Sequence, residues 1–148
     1  MPRPPATSSP IWKLVNLASA FNVAVYRASG GRLGNRMQKA PVLLLHHTGR
    51  KSGKERVAPL LYLDDGDDLV VVASKGGAEK HPAWFHNLMA GPETTVEVGR
   101  ERRRVRARRA TPQERERLWP RLVAIYRPYA DYQTYTDREI PVVVLEPA

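Results

Sequence analysis

Two glycine-bracketed loops carry residue types suited to an anion. Residues 49–56 run Gly-Arg-Lys-Ser-Gly-Lys-Glu-Arg, a turn in which Arg50, Lys51, Lys54 and Arg56 converge around one serine. Exposed turn amides, a hydroxyl and several cations suit a phosphate or carboxylate. The turn lacks the strand–GxxxxGK[ST]–helix pattern, so it is not a P-loop. Residues 74–80, Ser-Lys-Gly-Gly-Ala-Glu-Lys, lie between an apolar strand and a helix start, where amides and the helix dipole favour an anion. The glycines let a ligand approach the backbone.

A third set is aromatic. Tyr126, Tyr129, Tyr132 and Tyr135 recur every three residues, which gathers their rings on one side of a helical or 3₁₀ turn. Such a wall can stack on a planar ring and offer hydroxyl protons. The histidines do not make a metal set: His46 and His47 are adjacent and face opposite sides of a strand, and His81 and His86 lack a completing acid. Ser52 and Ser74 have no nucleophile-elbow context. With no cysteine in the chain, disulfides, thiolate metal sites and cysteine nucleophiles are excluded.

These loops need elements to hold them. The spacing predicts strands over residues 42–46, 56–63, 69–74, 94–98, 102–110 and 140–145, joined mostly by hairpins. Arg102, Arg104, Arg106 and Arg108 share one face of their strand, opposite Val105 and Ala107. A short helix begins near Pro82 and ends before Gly91. Thr111-Pro112-Gln113-Glu114 is a capping box opening a second helix to about Tyr126. The expected fold is α+β and mainly antiparallel, a six-stranded barrel with peripheral helices.

The domain organisation follows. Residues 1–10, with four prolines, form a lead-in; residues 11–36 hold an amphipathic helix and loop; residues 37–148 form the barrel domain. In the helix, Ile11, Leu14, Val15, Ala18, Phe21 and Val25 make one stripe, suited to packing on the domain or to lying on a membrane. The uncharged run there is too short to span a bilayer.

Net charge sharpens the search for a partner. The 148 residues carry +9, and residues 1–63 hold ten Arg or Lys against a single acid, Glu55. That balance points to a polyanion: nucleic acid, an acidic membrane or a phosphorylated ligand. Without a helix–turn–helix or interleaved stacking aromatics, a basic nucleic-acid-binding barrel is the weaker reading.

Taken together, the motifs have a known counterpart. Residues 48–53 and 56–62, then residues 73–85, Trp119-Pro120 and residues 126–141, resemble in order the deazaflavin-dependent nitroreductase family. The resemblance covers residues 38–147. It implies a split β-barrel of the flavin-binding oxidase type that holds reduced coenzyme F420 as hydride donor to a quinone, enone or nitro-aromatic acceptor. It implies coenzyme contacts at Arg50, Lys51, Arg56, Pro59, Ala73, Ser74, Lys75, Trp84 and Asn87. On the acceptor side it implies Tyr126, Tyr129 and Tyr132, with Ser74 able to hydrogen-bond the acceptor, and no metal. Leu61-Tyr62 and Ala83-Trp84-Phe85 depart from the family's commoner Tyr-Tyr and Met-Trp-Tyr, and both departures touch the ring and acceptor pocket. The expected setting is a cytoplasmic monomer or weak homodimer, with peripheral membrane contact through the N-terminal helix and no nucleic-acid partner. FMN or haem in the same barrel is the alternative cofactor.

Overall fold

The computed structural model describes residues 23–29, 36–37 and 40–148. Its strands are β1 (Arg36–Met37), β2 (Ala40–Thr48), β3 (Glu55–Leu61), β4 (Leu63–Asp65), β5 (Asp68–Val72), β6 (Glu93–Val98), β7 (Glu101–Arg109) and β8 (Val142–Pro147). The helices are α1 (Ala83–Ala90), α2 (Pro112–Ile125) and α3 (Pro128–Thr134), with a 3₁₀ turn at Lys75–Gly77; residues 23–28 are also helical. The six expected strands are all present, and β1 and β4 are additional. β4 was hidden because the apolar pattern runs unbroken from β3 through Leu63, although the chain changes pairing partner at Tyr62.

All strand pairs are antiparallel, in the order β1-β2-β6-β7-β8-β5-β4, with β3 on the other edge of β2. The edge strands β3 and β4 are thus separated only by Tyr62, whose N–H donates to the Pro41 carbonyl at 3.1 Å. The sheet is curled into a half-barrel, and β3 and β4 are joined through the covalent chain, not by a ladder. β3 keeps one free edge, which accommodates Pro59 in mid-strand opposite Leu44.

Alternation sorts the apolar residues into two cores. Leu43, Leu45, Leu69, Val71, Val143 and Leu145 fill the barrel, where Trp84, Phe85 and Leu88 of α1 join them. The alternate residues Val70, Val72, Val142 and Val144 face outward beneath Leu118 and Leu122 of α2 and Tyr129 of α3. Burial on both faces explains why β5 and β8 are unbroken apolar runs. On β7, Val105 and Ala107 are buried while Arg102, Arg104 and Arg106 are exposed, as the alternation requires.

α2 begins with the expected capping box. Thr111 Oγ1 accepts from Glu114 N–H at 3.2 Å and Glu114 Oε1 accepts from Thr111 N–H at 3.0 Å. Arg108 grips the same Glu114 carboxylate with two bonds of 2.6 and 2.8 Å, tying the helix to β7. At the other end of the chain, Val23 and Tyr26 pack on Leu44, and Arg27 bonds Glu97 at 2.8 Å. The segment 23–29 therefore packs on the barrel, with Val23 and Tyr26 more buried than Val25. The lead-in, residues 11–22 and residues 30–35 lie outside the described residues.

α1 is fastened by buried polar groups. The Asn87 amide donates to His47 Nδ1 at 2.9 Å, and its oxygen accepts the Arg50 N–H at 3.0 Å. Burial, with the charge of Arg56 and the neighbouring His46, pulls His47 from the usual 6.5 down to about 4. Between those values the unfolded chain binds the proton first, so this contribution to stability is complete above pH 6.5 and is lost as pH falls towards 4. The unfolding free energy is expected to drop by about 1–3 kcal/mol across that window. Asp65 and Glu114, held near 2 by arginine bonds, begin to lose their contributions only near their unfolded values of 3.8 and 4.5, at the acid end of that window. Denaturant titrations from pH 7 to 4.5 measure the slope. His47→Gln, which keeps an acceptor for Asn87, is expected to flatten it, and an unchanged slope would exclude His47 as its source.

Candidate functional site

The β2–β3 turn is closed by its own backbone. Gly49 N–H donates to the Lys54 carbonyl at 2.9 Å and Gly53 N–H to the Gly49 carbonyl at 2.8 Å, with Gly53 in the left-handed region at φ +70°. Ser52 Oγ accepts the Lys54 N–H at 3.2 Å, so this hydroxyl shapes the turn. Arg50, Lys51, Lys54 and Arg56 are exposed, and among the described residues none has a carboxylate within 4.0 Å. The arginines elsewhere contrast with them. Arg103, Arg106, Arg108, Arg109, Arg117 and Arg121 each hold a carboxylate at 2.6–3.4 Å.

The loop after β5 takes an unusual course. Lys75, Gly76 and Gly77 have φ of +45°, +63° and +80°, three left-handed residues in succession. At Gly77 a Cβ would lie 2.5 Å from the Tyr132 carbonyl oxygen, so the loop lies backbone-to-backbone against α3. Arg138, from the segment between α3 and β8, reaches into the loop. Its Nε donates to the Ala78 carbonyl at 2.8 Å, Nη1 to the Ala73 carbonyl at 3.2 Å and Nη2 to the Ser74 carbonyl at 2.7 Å. Nη1 also lies 2.9 Å from His81 Nδ1, which must be the acceptor because a guanidinium only donates.

α1 links the two loops. Asn87 holds the first turn through Arg50, while the rings of His81 and His86 stand 5.6 Å apart on the way to Arg138. Burial lowers the proton affinity of His86, and the charge of Arg50 adds to the effect. For Lys75 burial acts first, then Arg138 and Lys80. The two histidines between the loops are thus biased towards their neutral forms, and the cations stand in the loops on either side of them.

The tyrosines do cluster. Tyr126 and Tyr129 ring centres are 4.9 Å apart, Tyr129 and Tyr132 6.3 Å, and Tyr132 and Tyr135 6.4 Å. Their environments differ. The Tyr126 and Tyr132 hydroxyls are 3.1 Å apart and half-buried. Tyr129 is only 4% exposed, packed towards Trp119, and its hydroxyl has no hydrogen-bond partner among the described residues. Burial pushes the Tyr129 and Tyr132 hydroxyls above the usual phenol range.

The remaining expected contacts lie deeper. Pro59 is half-buried on β3, which runs against β5, whereas Ala73, Trp84 and Asn87 are buried. Ala73 is fully enclosed and its N–H donates to the Pro141 carbonyl at 2.9 Å. Asn87 has both ends of its amide engaged by His47 and Arg50. Sequence patterning assigns no role to Arg138 or His47. Each works through a partner distant in the chain, and a lone arginine or histidine carries no spacing signal.

A family model described as F420H(2)-dependent quinone reductase matches residues 19–147. An F420H(2)-dependent quinone reductase of Mycobacterium tuberculosis is 44% identical over 127 residues, covering 82% of this chain and 85% of the relative. The solved structure of an F420-H2 dependent reductase, FDR-A, superposes with a TM-score of 0.66 at 44% identity, covering 72% of this chain and 94% of that one. A second solved chain, described as a domain-swapped dimer, gives a TM-score of 0.69 at 35% identity over 93% and 100% of the two chains. With the family model matching residues 19–147 and a relative 44% identical over most of both chains, on a split-barrel fold, the chain belongs to the F420H(2)-dependent quinone reductase family.

Proposed function

We propose that this protein reduces a quinone with reduced coenzyme F420. The observation that carries the reading is the turn at residues 49–56, whose four exposed cations lack carboxylate partners among the described residues. A coenzyme with a phosphate and a glutamate tail supplies those anions. The surrounding residues fit the group. Arg50, Lys51 and Arg56 hold the anionic tail from one side, and Lys75 with the Ser74 hydroxyl approaches from the other. Pro59 on the free edge of β3 and the end of β5 at Ala73 are the residues that would hold the planar ring. Trp84 and Asn87 support that slot from α1, with Asn87 acting on the ligand through the Arg50 backbone.

When bound, reduced F420 supplies a hydride to the acceptor. The chain supplies orientation and a proton path. Tyr126, Tyr129 and Tyr132 form the acceptor wall. The Tyr126–Tyr132 hydroxyl pair hydrogen-bonds the acceptor oxygen as negative charge develops there, while Tyr129 backs the pair as an aromatic support. Hydride and one proton together convert the quinone to its hydroquinone. Enones and nitro-aromatics present a comparable electrophilic atom beside an oxygen that gathers charge, so the same wall serves them. Among the described residues no helix is long and apolar enough to cross a membrane.

Fluorescence titration with F420, and oxidation of the reduced coenzyme on adding menadione, test the reading directly; no binding would end it. Lys51→Ala is expected to raise the Kd for F420 about tenfold by removing a charge from the tail site. Weakening with added salt should accompany it.

The tyrosine roles separate by variant. Tyr126→Phe and Tyr132→Phe are expected to slow menadione reduction roughly tenfold or more with F420 affinity kept within about twofold. Tyr129→Phe removes only a buried hydroxyl without a partner, so rate and affinity should both stay within about twofold of the parent. A large rate loss in Tyr129→Phe alone would assign the proton path to that hydroxyl instead.

A further inference from the structure

Arg138 is a half-buried cation with an unusual set of partners. Its hydrogen bonds go to the carbonyls of Ala73, Ser74 and Ala78 and to a neutral histidine nitrogen, and among the described residues no carboxylate lies within 4.0 Å of it. Burial without a counter-ion is costly, and it lowers the proton affinity of this guanidinium. Its surroundings are basic: Lys75 and His81 both feel its charge, and His81 also feels His86 and Arg109. A neutral glutamine could not span three carbonyls, yet a cation placed among cations is a poor choice for stability alone.

Peptide geometry shows what the contacts accomplish. In a trans peptide the C=O and the following N–H point in opposite directions. Drawing the Ala73 and Ala78 carbonyls onto Arg138 therefore turns the Ser74 and Glu79 N–H groups away from it, to the opposite face of the loop. The Ser74 carbonyl is drawn in as well, and also accepts the Gly77 N–H at 2.9 Å. The three carbonyl dipoles that would repel an anion are thereby masked, while the charge of the guanidinium still acts through the loop. On these contacts, and resting on the F420 reading above, we infer that Arg138 is a positioning residue that sets the 73–81 loop to receive the anionic half of the coenzyme without touching it.

The test uses two ligands on the full chain, followed by fluorescence. One is F420; the other is its deazaflavin–ribityl core, which has the ring but neither phosphate nor glutamate. The variants are Arg138→Ala and Arg138→Lys, the latter keeping the charge where the former fails to fold. Each is expected to weaken F420 about tenfold or more, with the core bound within about twofold of the parent. Equal losses for both ligands would make Arg138 a general staple of the fold and overturn the inference, as would unchanged F420 affinity in both variants. A parent chain that binds neither ligand would instead overturn the F420 reading itself. Partial recovery in Arg138→Lys relative to Arg138→Ala would show that charge contributes beside geometry and supports the same role, whereas full recovery to the parent affinity would overturn it.

Discussion

The arrangement depends on the pairing of β5 with β8. These strands are buried on both faces, inside the barrel through Val71 and Val143 and outside under α2 through Val70 and Val144. Their register runs from Leu69 opposite Leu145 to Val72 opposite Val142, and the Ala73 N–H bond to Pro141 extends it by one step. The two strands therefore end at the same height. The chain leaving β5 becomes the 74–81 loop, and the chain entering β8 carries Arg138, so the pairing delivers the arginine to the loop. Slipping β8 by one residue against β5 would turn its side chains to the opposite faces and shift Arg138 relative to the loop.

Charge divides by partner more than by number. Arg106, Arg108 and Arg109 of β7 and Arg117 of α2 meet carboxylates of Glu93, Glu114, Glu139, Glu146 and Asp65, and these pairs fasten elements at the surface. The turn at residues 49–56 has no such carboxylates, and Arg138 has only neutral partners. Surface pairs of the first kind contribute little energy each and leave little field. The four cations of the turn keep a field that no carboxylate offsets, and under the proposed function that field acts on the anions of the coenzyme.

Much of this was legible in the sequence, for local reasons. The capping box at Thr111 and Glu114, the glycine turns and the strand alternation that exposes Arg102, Arg104 and Arg106 depend on neighbours within a few residues. The break between β3 and β4 was not legible, because Leu61 and Leu63 continue one apolar pattern while their backbone partners switch from β2 to β5. The difference among the tyrosines was hidden for the same reason. A three-residue spacing brings the rings of Tyr126, Tyr129 and Tyr132 together, but only the packing of α3 on Trp119 decides that the middle hydroxyl is enclosed. Arg138 and His47 act across 57–65 and 40 residues of chain respectively, beyond the reach of any local pattern.

The left-handed course of residues 75–77 shows why such distant contacts matter at this site. Glycine adopts positive φ freely, but Lys75 does so at a cost of about 1 kcal/mol or more, and the free chain would prefer other conformations. Packing of Gly77 on the Tyr132 backbone and the bonds from Arg138 to three loop carbonyls oppose that preference. The ordering of the loop is thus supplied by the fold before a ligand arrives, and less of the ligand's interaction energy is lost to it. The same packing couples the two halves of the site. α3 carries Tyr132 into the tyrosine cluster with its side chain and restrains the 74–81 loop with its backbone, so a shift of that helix must alter both.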